Sequence, residues 1–132
     1  MLKVSLPNNL AALTKLGEHL DEVSNGFALN AQASYGLHFV LEELFVNFVT
    51  HGAAVDGEMR ISIDLHKSFL QIHIEDDGKP FNPIEVQSPD VDAVLDDRAV
   101  GGLGLHLVRQ YCDRISYERI QNMNTIELRL KT

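Results

Sequence analysis

Residues 59–81 read MRISIDLHKSFLQIHIEDDGKPF, and this stretch decides the fold. Met59, Ile61, Ile63 and Leu65 alternate with Arg60, Ser62, Asp64 and His66. After Lys67-Ser68, Leu70, Ile72 and Ile74 alternate with Gln71, His73 and Glu75. A period of two on both sides of a short polar break is the pattern of a hairpin with one buried and one wetter face. The second strand runs into Asp76-Asp77-Gly78, a turn signal, because glycine tolerates positive φ.

Upstream, the segment from Asn30 to His51-Gly52 reads as a long helix. It is apolar almost all round (Phe39, Val40, Leu41, Leu44, Phe45, Val46, Phe48, Val49), which predicts burial on most of its surface. Gly52 is placed to end it. Before it, Leu10, Leu13, Leu16 and Leu20 recur at helical spacing, with a stop at Ser24-Asn25-Gly26. Leu2, Val4 and Leu6 alternate up to Pro7 and predict a short strand. Downstream, residues 76–100 hold one glycine, several prolines and acids without a period and read as a long loop. Gly101 to Gln110 reads as a helix entered through glycines. Ile115–Arg119 and Thr125–Leu130 read as a closing hairpin around Gln121-Asn122-Met123-Asn124. The order β-α-α-β-β-loop-α-β-β predicts one α+β two-layer sandwich over residues 1–132. Its helices lie on one face of a mixed, mostly antiparallel sheet.

Composition narrows the function. The chain has 132 residues, 45% of them hydrophobic and 23% charged, the make-up of one ordinary globular domain. Its net charge of -8 disfavours nucleic acid and anionic membrane surfaces as main partners, and suits a basic partner protein. A single cysteine, Cys112, excludes an intramolecular disulfide and reads as a buried, inert thiol. With no apolar leader and no run approaching 18 apolar residues, the expectation is a cytoplasmic protein. The six histidines form no tight Cys/His cluster and read as scattered surface residues.

Three groups carry chemistry. Glu43, Asn47 and His51 fall at i, i+4 and i+8 on one stripe of the buried helix, where polar groups must be satisfied. Asn offers a hard oxygen suited to Mg²⁺, and Glu a proton acceptor one turn away; the other reading is a solvated stripe. Glu42 is adjacent, and spacing does not choose between the two acids. Asp76 ends a strand where it would accept from an exocyclic amine, with Gly78 letting a ring approach; the bland alternative is a simple turn. Gly101-Gly102-Leu103-Gly104-Leu105 opens a helix whose backbone N–H groups favour anions, although close helix packing also uses glycine. It is neither a Walker A loop nor a dinucleotide fingerprint.

As an ordered set, Glu43-x3-Asn47-x3-His51-Gly52, Asp76-x-Gly78-x-Pro80-Phe81 and Gly101-Gly102-Leu103-Gly104-Leu105-x2-Val108 resemble the motif series of histidine-kinase-like (GHKL) ATPase domains. The branch it resembles is that of stand-alone anti-sigma factor serine/threonine kinases, and the resemblance covers nearly the whole chain. It implies a Bergerat-type fold binding ATP and Mg²⁺ beneath a lid. Asn47 would coordinate Mg²⁺ and Glu43 would be the general base. Asp76 would hold the adenine amine, helped by Thr125 through a water, and Gly78 would line the base pocket. Gly102, Leu103, Gly104 and Leu105 would form the phosphate side, and Arg98 is read either as reaching a terminal phosphate or as a lid arginine facing solvent. His51 is read equally as a capping or packing residue. Pro80 replaces the second glycine of the usual turn, and the lid at 82–100 is acidic. The implied activity is γ-phosphate transfer from ATP to a small anti-anti-sigma (STAS-type) protein, with a sigma factor as the second partner and a homodimer possible. The alternative is an ATP-sensing module that switches partners without chemistry.

Overall fold

The computed structural model describes residues 2–52, 57–85 and 100–132. Five strands, β1 (Leu2–Pro7), β2 (Glu58–Leu65), β3 (Phe69–Asp76), β4 (Cys112–Ile120) and β5 (Met123–Lys131), form one sheet in the order β1-β2-β3-β5-β4. Helices α1 (Leu13–Gly26), α2 (Ala31–Asn47) and α3 (Val100–Tyr111) form the second layer. All four ladders are antiparallel, so no parallel pair occurs among the described residues. Most of the acidic lid, including Arg98, lies outside the described residues.

The alternation in residues 59–81 does what its period demands. Met59, Ile61 and Ile63 of β2 and Leu70, Ile72 and Ile74 of β3 are buried, and register pairs Ile61 with Ile74 and Ile63 with Ile72. Ile126, Leu128 and Leu130 of β5 continue this layer. Leu16 and Leu20 of α1 and Leu37, Leu41 and Phe45 of α2 close it from the other side. Each such side chain contributes on the order of 1.5–3 kcal/mol by leaving water.

Four boundaries differ from the sequence expectation, each for a local reason. Leu10 is exposed in a 3-10 turn (Leu10–Ala12), because Asn9 caps that turn by accepting from the Ala11 N–H at 2.9 Å. Helix α1 continues through Gly26. Its left-handed closing residue is Ala28 (φ 54°), whose N–H donates to Asn25 O while Leu29 N–H donates to Ser24 O. Those two bonds make a Schellman cap. Helix α2 starts behind Asn30, whose Oδ1 accepts from Ala33 N–H at 2.8 Å. It leaves α geometry at Asn47 and passes through a π turn, Phe48–Gly52. The closing hairpin turns on Gln121 and Asn122 alone, both with positive φ (50° and 64°), so Met123 and Asn124 already belong to β5.

Candidate functional site

The fold brings the end of β3, the start of β5 and the end of α2 to one edge of the sandwich. There Leu44, Asn47, Phe48, Met59, Asp76, Lys79, Phe81 and Asn124 line a cleft of about 350 Å³ counting its open mouth. Asn47 and Asp76, 29 positions apart in sequence, thus share one cavity.

Asp76 is buried because it occupies the next core-facing position after Ile72 and Ile74. Its Oδ1 accepts from Gly78 N–H at 2.9 Å, closing the turn, and from Asn124 Nδ2 at 2.9 Å. Burial pushes the Asp76 carboxyl above its ordinary pKa, while the Asn124 and Gly78 donors pull the other way. Gly78 O in turn accepts from the Arg119 guanidinium at 2.8 Å. The neighbouring Asp77 accepts from Glu58 N–H at 3.0 Å and so ties the turn to the start of β2.

Asn47 is buried, and its Nδ2 donates to Glu43 O at 2.7 Å. A carbonyl can only accept, so this bond fixes the amide orientation and directs Oδ1 away from the helix backbone. Mg²⁺ takes one or two hard oxygens from protein and completes its shell with phosphates and water, so this residue fits such an ion. No group of three His, Cys, Asp or Glu side chains able to hold a metal occurs among the described residues. An ion held here would depend on oxygens from the nucleotide.

The structure separates Glu42 from Glu43. Glu42 faces α1, where its Oε1 lies 3.2 Å from His38 Nδ1, and His38 Nε2 reaches Asp21 at 3.0 Å. Glu43 faces α3, and its carboxylate occupies the space that a Cβ on Gly104 would fill. Burial raises the Glu43 pKa above the ordinary carboxylate value. The missing Cβ at Gly104 therefore leaves the room that the Glu43 carboxylate occupies. Gly102 and Leu103 lie in the first turns of α3, and Gly104 and Leu105 are buried in it. His51, in the π turn, stacks on Phe81 with ring centroids 5.5 Å apart, which makes it a packing residue.

Thr125 falls elsewhere. It pairs with Glu75, while Asp76 pairs with Asn124. Side chains alternate faces along a strand, so Thr125 points to the outer face and Asn124 to the cleft. The residue that reaches Asp76 is thus Asn124. Sequence reading placed Asn124 in a turn and missed it; a two-residue reading of Gln121-Asn122 would have put it opposite Asp76. Cys112, at the start of β4, has its thiol pKa pushed up to about 12 by burial, in keeping with an inert side chain.

The sequence as a whole is similar to known proteins. The sequence profile of the histidine kinase-like ATPase domain matches residues 6–130. The chain is 29% identical over 101 residues to the serine/threonine-protein kinase BtrW of Bordetella bronchiseptica, covering 75% of this chain and 71% of that protein.

Proposed function

The chain belongs to the histidine kinase-like ATPase family, and from that premise we propose that it is an ATP-dependent serine/threonine protein kinase acting as an anti-sigma factor. The observation that carries the catalytic part is the Glu43 carboxylate packed against Gly104 on α3, one turn from Asn47 on α2. Pure nucleotide binding has no need of a partly buried carboxylate in that place. The kinase named among its relatives supports the same reading.

In this mechanism the adenine amine donates to Asp76, and the phosphates lie toward the first turn of α3, where backbone N–H groups favour anions. Glu43 takes the proton from the acceptor hydroxyl, whose oxygen forms the new bond to the γ-phosphorus as the bond to ADP breaks. Burial makes Glu43 a stronger base than an exposed carboxylate. Asn47 Oδ1 would be the protein ligand for Mg²⁺, which when bound would offset phosphate charge. The acceptor is a serine or threonine of a small STAS-type anti-anti-sigma protein, and the non-covalent partner is a sigma factor. Partners of that kind make the cytoplasm its compartment. No described helix is long and apolar enough to cross a membrane.

The test uses Mg-ATP labelled at the γ-phosphate with a small STAS-type anti-anti-sigma protein as the acceptor. Transfer is expected in the wild type, with a fall of about 10²–10⁴-fold in Glu43→Ala. Nucleotide binding without transfer would replace the kinase with a nucleotide-sensing binding module, and transfer unchanged in Glu43→Ala would remove Glu43 as the base.

A further inference from the structure

The buried amide of Asn124 uses its full hydrogen-bonding capacity. Nδ2 donates to Asp76 Oδ1 at 2.9 Å and to Lys79 O at 2.8 Å. Oδ1 accepts from Phe81 N–H at 3.2 Å and from the Tyr117 hydroxyl at 2.6 Å. An amide has two donor hydrogens and one oxygen with two lone pairs, so all four positions are filled. The arrangement has one sense only. Rotated by half a turn, the amide would set its oxygen against the Asp76 carboxylate and Lys79 O, and its NH₂ group against the Phe81 N–H. Asp76 and Lys79 O, which only accept, and the Phe81 N–H, which only donates, fix that sense, while the Tyr117 hydroxyl fills the second lone pair and tightens the hold. Because Asn124 and Gly78 both donate to Oδ1, Asp76 has Oδ2 to offer a ligand.

We propose that Asn124, held by Tyr117, is a positioning residue that selects which oxygen of Asp76 meets the nucleotide base, and thereby sets the preference for 6-amino over 6-oxo purines. The proposal rests on the ATP-binding reading above and adds the residues that determine its specificity. An exocyclic amine donates to a carboxylate oxygen, whereas a 6-oxo group repels it. That discrimination is sharp only while the carboxylate is held in one orientation. Loss of the Tyr117 hydroxyl leaves the Asn124 oxygen with one donor and loosens the grip on the amide. The carboxylate then rotates, and both classes of purine are accommodated more evenly. The same amide grips Lys79 and Phe81, so the turn after β3 is held by the strand that sorts the base.

The experiment is equilibrium binding of ATP and inosine triphosphate, with Mg²⁺, to wild type, Tyr117→Phe and Asn124→Ser. Circular dichroism and melting curves establish that each variant is folded. The wild type is expected to prefer ATP by about tenfold or more, the scale of one hydrogen bond to a charged group. In Tyr117→Phe, which removes a single oxygen, the ratio should narrow to about threefold or less. In Asn124→Ser it should narrow at least as far. An unchanged ratio in folded Tyr117→Phe overturns the positioning role while leaving ATP binding intact. A wild type that binds both nucleotides equally well has the same meaning. A wild type that binds neither overturns the ATP reading itself.

Discussion

Gly104 bears no side chain, and Glu43 occupies the space where one would begin. The contact is with the flexible end of the Glu43 side chain, so an added methyl displaces that carboxylate more easily than it moves a helix. Gly104→Ala should therefore leave the melting temperature within a few degrees of the wild type, because alanine favours a helix by up to about 1 kcal/mol over glycine. Phosphate transfer should nevertheless fall about 10²-fold, the cost of misplacing a reacting group by an ångström. Initial transfer rates beside a thermal melt check this; retained transfer would mean that Glu43 is not poised where the mechanism needs it. At this scale, helical spacing made Glu43 and Asn47 legible. The choice of Glu43 over Glu42 was not, because it depends on which helix packs on each side of α2. Asn124 escaped for a different reason. Its role depends on register, which the length of a turn 2 residues before it controls.

The elements themselves track the hydrophobic periods closely, and what periodicity leaves open is how each one ends. Helix α1 illustrates this: Gly26 looks like the stop, yet the left-handed position falls on Ala28. A residue with a Cβ in that conformation costs about 1–2 kcal/mol, part of which glycine returns as greater unfolded-state entropy. Ala28→Gly should accordingly stabilise the protein by about 0.5–1 kcal/mol, with both Schellman bonds kept. Denaturant unfolding measures it, and a loss of stability would show that the Ala28 side chain matters more than its φ. The closing hairpin makes the same point from the opposite direction. Two consecutive positive φ angles at Gln121 and Asn122 give a tight turn without glycine, so composition offered little sign of it.

Across the whole molecule, the helices cover one face of the sheet and leave the other to polar side chains. On that outer face His73 lies between Glu75, 2.8 Å away, and Glu127, with Arg60 reaching Glu75 as well. Burial alone would lower the His73 pKa, but the hydrogen bonds to Glu75 and Glu127 outweigh it and the net shift is upward from 6.5. A group with a raised folded pKa adds stability that is fully present below its unfolded pKa and is lost as pH rises through the folded value. The melting temperature of the wild type should thus exceed that of His73→Gln by most near pH 5.5, with the gap shrinking toward pH 8. A gap independent of pH would remove the imidazolium from the account. The two-layer plan was legible because alternation shows directly which side of each strand is dry. The pairing of charges on the wet side was not, since it requires the strand order. The π turn after Asn47 carries a further consequence for the molecule as a whole. A π turn is a helix holding surplus chain, so the Phe48–Gly52 segment carries more residues than an α continuation of the same rise would need. That surplus sets where His51 meets Phe81 at the mouth of the cleft. This segment therefore admits substitutions far more readily than changes of length, and among diverging copies of the gene it should hold its residue count while its letters drift.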